Sequence, residues 1–275
     1  RANDPSFIDK LMVGKLDAFR LPAAVPDLPA YVERATRSGF PEPAVHLEGG
    51  ASQAWLDGYL DEILTRDAMM IKELRNPARL RRYFEAIALK TADVTEHKSL
   101  YDAAGINRAT AISYDHLLMN LFALEQVPAW FTNRLNRLVK TPKRYLVDAA
   151  LATTALRLTP AAALRDGGIF GRLIDTFVLA QLRPELAIHP LRPRPHYFRD
   201  QDGREADLII ELETGILALE IKADAAPDKR AAGHLAWLRD ELGSFFLGGA
   251  VMHTGPRAFP LGDRIFALPI CTIWG

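Results

Sequence analysis

The chain has 275 residues, enough for two domains or one large one. Hydrophobic residues make up 49% and charged residues 25%, a globular composition rather than a disordered one. Lys+Arg and Asp+Glu both number 34, so there is no global attraction to nucleic acid and any basic footprint must be local. Cys271 is the only cysteine, which excludes an intramolecular disulfide and a cysteine-based zinc site and fits a reducing cytoplasm. No apolar run reaches the ~18–20 residues of a membrane span. The opening RANDPSF carries neither a signal pattern nor an initiator Met, so the chain reads as part of something longer.

Residues 1–76 are expected to form a helical, lid-like segment. Prolines at 5, 22, 26, 29, 41 and 43 break its first part into short helices, one of them over LPAYVERATRSGF. Ser52 caps a longer helix running to Ile71, with Trp55, Tyr59, Ile63 and Leu64 on one face. Residues 77–147 are expected to form a winged helix. Asn76 caps a helix that begins at Pro77 and buries Leu80, Tyr83, Phe84, Ile87 and Ala88. A short helix to Ala104, a turn at Gly105-Ile106 and a helix from Arg108 to Ala123 have helix-turn-helix spacing. The stretch from Trp130 to Asp148 is predicted as a two-stranded ribbon turning at Thr141-Pro142. Residues 148–275 are expected to form an α/β domain, a mixed sheet flanked by helices. Its strands are RPHYFRD, READLIIEL, GILALEIKA, AVMHTG and FALPICTIW; its helices are VDAALATTALRL, GRLIDTFVLAQLRPEL and KRAAGHLAWLRDELG.

The ribbon has five basic residues and no acidic one between Gln126 and Val147: Arg134, Arg137, Lys140, Lys143 and Arg144. Such a wing could lie along phosphates. Arg108 and Thr110 open the second helix of the helix-turn-helix, at the end that enters a major groove, and Ser113 and Tyr114 follow. Against DNA stand Asp115 on the same helix, which phosphate repels, and the use of winged helices as protein-docking modules. Five basic residues on a ribbon also describe a solvated face.

The segment GREADLIIELETGILALEIKAD (Gly203–Asp224) is the most informative. It reads as two strands and a tight turn. Alternate side chains share a face, and aligning the apolar faces with Leu212 opposite Leu217 puts Asp207 opposite Lys222 and one diagonal step from Glu220. Two adjacent carboxylates repel unless a cation lies between them. Mg2+ accepts such oxygens, and a lysine beside them can orient water or steady phosphate charge. Asp, about a dozen residues, then Glu-x-Lys is the pattern of the restriction-endonuclease-like fold. A preceding helix donates a further carboxylate there, and Asp175 is placed for it. The metal set is therefore Asp207, Glu220 and Asp175, with Lys222 as the fourth catalytic residue. The bland alternative is a surface ion pair worth ~0–1 kcal/mol.

Seven stretches resemble, in order, the motifs of prokaryotic AAA-type ATPases that end in the domain of unknown function numbered 4143. They are SGFPEP, YLDEILTRD, KSLYDAAGINRATAISYDHLLMNL, RLVKTPKRYLVDAALAT, GRLIDTFVLAQL, YFRDQDGREADLII and LALEIKA. The resemblance implies an ATPase domain before this piece, then a lid-like segment, a winged helix and a nuclease-like domain. It carries over Glu205, Asp207, Glu220 and Lys222, and it departs at Asp175, where the family usually has Glu. No GxxxxGK[ST] phosphate loop occurs, so ATP enters only through a missing N-terminal domain.

Seven scattered histidines lack metal-ligand spacing, and the four tryptophans read as core. Asp200, Asp202 and Gly203 read as a hairpin turn rather than a calcium loop. Two function classes follow. One is a DNA-associated module of a cytoplasmic ATPase whose nuclease-like domain binds Mg2+ and hydrolyses phosphodiesters. The other is a non-enzymatic regulatory or docking module for a protein partner, in a toxin–antitoxin or defence setting.

Overall fold

The computed structural model describes residues 5–67, 76–133, 137 and 140–275. They fall into two compact units, one of residues 1–31, 128–140 and 181–275, the other of 32–127 and 141–180. Boundaries expected at 76 and 147 follow the linear order of motifs. The units instead gather stretches far apart in sequence, because packing and strand pairing act between them.

The chain opens with α1 (Phe7–Val13) and α2 (Leu28–Arg37). The second unit holds α3 (Gly49–Asp61), α4 (Pro77–Leu89), α5 (His97–Ala103), α6 (Arg108–Asn120), strands β1 (Leu124–Val127) and β2 (Lys143–Leu146), then α7 (Ala149–Ala155) and α8 (Pro160–Arg165). Helix α9 (Gly167–Ile188) contributes its first part here and its last part to the first unit. Local chemistry sets the helix starts. Asn76 accepts from the Arg79 N–H, with Pro77 in the first turn, and Leu80, Tyr83, Phe84 and Ile87 are buried as the spacing predicts. Asn107 caps α6 by accepting from the Thr110 N–H. That helix stops at Asn120, short of the expected Ala123, because Phe122 takes a left-handed φ of 53° and the Ala123 N–H turns back to the Leu118 carbonyl. The helix expected to start at a Ser52 cap begins earlier, at Gly49, and holds Ser52 buried within it; of its expected reach to Ile71, residues 68–71 lie outside the described residues.

The two-stranded ribbon differs from the expected one. Its strands pair Leu124 with Leu146 and Val127 with Lys143. Only the second strand was correctly placed. Trp130, expected to open the first strand, belongs with Pro128 and Ala129 to the first unit, where Ala129 bridges Tyr197.

The first unit is built on a six-stranded sheet. Its strands are β3 (Arg194–Arg199), β4 (Glu205–Glu211), β5 (Ile216–Lys222), β6 (Phe246–His253), β7 (Phe259–Gly262) and β8 (Ile265–Pro269), in the order β3-β4-β5-β6-β8-β7. The β3–β4, β4–β5 and β7–β8 pairs are antiparallel; β5–β6 and β6–β8 are parallel. Helix α10 (Gly233–Leu242) makes the crossover between β5 and β6. Strand β7 was not expected, and the last predicted strand is shortened to β8 and a 3-10 turn over Ile270–Ile273.

Helices cover both faces of this sheet. A Cβ on Gly248 would meet the Leu11 carbonyl of α1, while one on the next residue, Gly249, would meet Leu235 of α10. Successive strand residues face opposite sides, so α1 and α10 lie on opposite faces. Gly248 has no side chain because α1 approaches the strand too closely for one. Ile209, Ile216, Ala218 and Val251 join Leu235 and Leu238 in the core under α10. No described helix is long and apolar enough to cross a membrane.

Candidate functional site

The β4–β5 ladder pairs Leu208 with Leu219, Ile210 with Leu217 and Glu211 with Ile216. The expected register had Leu212 opposite Leu217, two residues away. The turn explains the difference. Leu212 donates its N–H to the Gly215 carbonyl at 2.8 Å, closing a two-residue turn at Glu213-Thr214. Gly215 is needed there, since a Cβ would overlap the Phe245 carbonyl. A shift of two keeps every β5 side chain on its face. Ile216 and Ala218 lie in the core under α10. By alternation Glu220 and Lys222 lie on the same side.

One step beyond the last rung, the Asp207 Oδ2 accepts the Ile221 N–H at 2.9 Å. Lys222 Nζ lies 2.6 Å from Glu220 Oε1. Glu220 is 4% exposed, and its Oε2 is buried without a hydrogen-bond partner. Burial first, and then the neighbouring Asp207 charge, push the Glu220 carboxyl up to about 8, against the downward pull of Lys222. Burial opposes the Lys222 charge, but Glu220, Asp207 and Glu205 outweigh it and hold the ammonium above its ordinary value. Asp207, Glu220 and Lys222 therefore converge. Glu205 stands at the rim, where its N–H donates to His234 Nδ1 of α10 at 3.2 Å.

Two adjacent carboxylates, one with a desolvated and unpartnered oxygen, fit a hard divalent cation that completes its shell with water and phosphate. Among the described residues no group of three or more His, Cys, Asp or Glu side chains is arranged to hold a metal. Asp175 belongs to the second unit. There its Oδ2 accepts from Lys143 Nζ at 2.9 Å, both side chains being buried.

The residues expected to touch DNA separate into three groups. Arg134 lies outside the described residues. Lys143 and Arg144, expected on the wing surface, are only 4% and 5% exposed and point inward. Lys143 meets Asp175, and Arg144 meets Asp115 Oδ2 at 2.8 Å. Arg137 is likewise engaged, donating to both Glu211 oxygens at 2.8 and 2.7 Å. Arg108 and Lys140 are exposed, and Thr110 partly so.

The same burial removes an objection to DNA. Asp115, expected to repel phosphate, accepts from Tyr83, Gln126 and Arg144 inside the second unit. The exposed face of α6 is left with Arg108, Ile112, Ser113, His116 and Asn120 and no acid. Reading the sequence missed the roles of Glu211 and Trp130. Glu211 and its partner Arg137 are 74 positions apart, so no local pattern could reveal the pair.

Two family models match the chain, each described as a domain of unknown function. DUF8612 covers residues 28–162, and DUF4143 covers residues 170–273. The resemblance to domain 4143 is thus found in the part that carries Asp175, Asp207, Glu220 and Lys222. An uncharacterized protein of Mycobacterium bovis and one of Mycobacterium tuberculosis are each 28% identical to the chain over 233 residues, covering 85% of this chain and 51% of the relative. The chain spans about half the length of these curated relatives. No solved structure matches it.

Proposed function

We propose that the first unit is a restriction-endonuclease-like domain that hydrolyses phosphodiester bonds with Mg2+ at Asp207 and Glu220. The observation that carries the reading is the buried, unpartnered Glu220 Oε2 beside Asp207. Leaving a carboxylate oxygen desolvated and next to a like charge costs stability, and such arrangements cluster at working sites. The order of elements supports it too: three antiparallel strands, then a helical crossover to a parallel strand.

Asp207 and Glu220 would hold the ion, which when bound supplies charge stabilisation and an acidified water. Asp207 is kept in place by the Ile221 N–H. Lys222, half exposed and on Glu220, is placed to exchange that carboxylate for a phosphate oxygen or to orient water.

For the second unit we infer a winged helix, from α4, α5 and α6 followed by the β1–β2 ribbon. DNA would meet Arg108 and Thr110 of this unit. The relatives' greater length leaves room for an ATP-using portion in the parent protein.

A second reading has one observation in its favour. The 2.6 Å Lys222–Glu220 ion pair would suit a nuclease-like fold that has lost its activity and docks a protein partner instead. Cleavage of single- and double-stranded DNA and RNA with Mg2+ or Mn2+, with Glu220→Ala as control, separates the two. Metal-dependent cleavage lost in the variant supports the nuclease. Cleavage that survives the substitution, or calorimetry showing no Mn2+ binding, supports the docking module.

A further inference from the structure

Strand β4 has one residue too many opposite β3. His196 pairs with Ile209 and Phe198 with Ala206, so Asp207 and Leu208 together stand against Tyr197. A bulge of this kind bends its strand and re-aims the side chains it carries. Here it carries Asp207, whose carboxylate reaches across to the Ile221 N–H.

Tyr197 is held from its other side. Its N–H donates to the Pro128 carbonyl at 3.0 Å, and its carbonyl accepts the Trp130 N–H at 2.6 Å. These bonds form a single parallel rung at Ala129. One rung is weak on its own, and side chains secure it. Trp130 Nε1 donates to Glu211 Oε1 at 3.1 Å, and Arg137 binds both Glu211 oxygens. Arg137 also donates from Nε to the Phe131 carbonyl at 2.7 Å and lies 5.6 Å over the Trp130 ring. The hydrogen bonds from Arg137, acting against burial, hold the Glu211 carboxyl below its ordinary value, so the clamp keeps its charge. Glu211 sits on the bulged strand itself, four residues beyond Asp207.

We propose that Glu211, Arg137 and Trp130 are positioning residues for Asp207. The clamp holds 128–130 on Tyr197, the rung braces β3 against the bulge, and the bulge aims Asp207 at Glu220. The inference rests on the reading of Asp207 and Glu220 as the working site. It assigns that site a control point in the chain between β1 and β2, where Trp130 and Arg137 lie.

The Ile221 amide is the reporter, because its hydrogen bond exists only while Asp207 is aimed. Hydrogen exchange is followed by NMR on the full chain, with the Ala250 amide of β6 as the measure of global opening. Arg137→Met is expected to speed Ile221 exchange by about tenfold while Ala250 holds its rate. The same variant is expected to weaken Mn2+ binding, by calorimetry, by about threefold or more. Trp130→Phe removes only the Nε1 donor and serves if Arg137→Met does not fold; it is expected to act in the same direction by about threefold. An unchanged Ile221 rate overturns the proposal. So does an equal rise at Ala250, which marks a merely structural role. Faster Ile221 exchange in a protein whose wild type binds no Mn2+ upholds the positioning and sinks the metal reading instead.

Discussion

Two short antiparallel pairs in this protein bury charge and dispose of it differently. On the β1–β2 ribbon, Lys143 and Arg144 are buried, and each ends on a carboxylate, Asp175 at 2.9 Å and Asp115 at 2.8 Å. On the β4–β5 hairpin, Glu220 is equally buried and also has an ion partner, Lys222, but Asp207 sets a like charge beside it and its carboxyl is raised to about 8. A buried charge that is paired is accounted for by folding alone. One set beside a like charge destabilises the fold, and such arrangements favour a bound cation. The contrast is why the proposed chemistry is placed on the hairpin and not on the ribbon.

Glu220→Gln tests the first half most severely. It keeps the shape and removes the charge, so metal-dependent cleavage is expected to fall by about a thousandfold or more, read in a nuclease assay. Cleavage that survives would make the two hairpins alike. Stability is the next largest effect. Arg144→Met leaves Asp115 buried without its ion partner and is expected to cost about 3 kcal/mol in urea unfolding. A cost near zero would mean that the ribbon's pairs are not what fixes it.

The pH dependence of stability sharpens the contrast. The Glu220 carboxyl is raised to about 8 in the fold from an ordinary value of 4.5. Below that ordinary value both states hold the proton. As pH rises toward about 8, the unfolded chain loses its proton while the fold retains it, so the group's contribution to stability falls. Above that the penalty is constant. Glu220→Gln should therefore gain on the wild type as pH rises from about 5 to about 8, by on the order of 2 kcal/mol. Parallel unfolding curves at every pH would show that burial does not strain Glu220. The smallest effect concerns DNA. Arg108→Ala should lower the salt dependence of duplex binding by about 0.9 per lost phosphate contact. An unchanged slope would remove DNA from the second unit.

Much of the candidate site was legible in the sequence. The alternation in GILALEIKA placed Glu220 and Lys222 on one face, and the apolar residues between them held that parity through a two-residue change of register. Helix caps at Asn76 and Asn107 were equally local and equally readable. The ribbon was not. Its basic run looked like a wing because composition gives charge without direction. Whether Lys143 and Arg144 faced water depended on carboxylates 32 and 29 positions away.

The sequence by itself determined which residues share a face of β5, where the helices at Leu28, Pro77 and Arg108 begin, and that Asp207, Glu220 and Lys222 would meet. These follow from side-chain periodicity and from backbone groups satisfied within a few residues. Tertiary structure alone decided the partner of each buried charge, the bulge that aims Asp207, and the capture of Pro128–Trp130 by β3. A single hydrogen-bonded rung or ion pair is formed between distant stretches, and its energy depends on burial that only packing supplies.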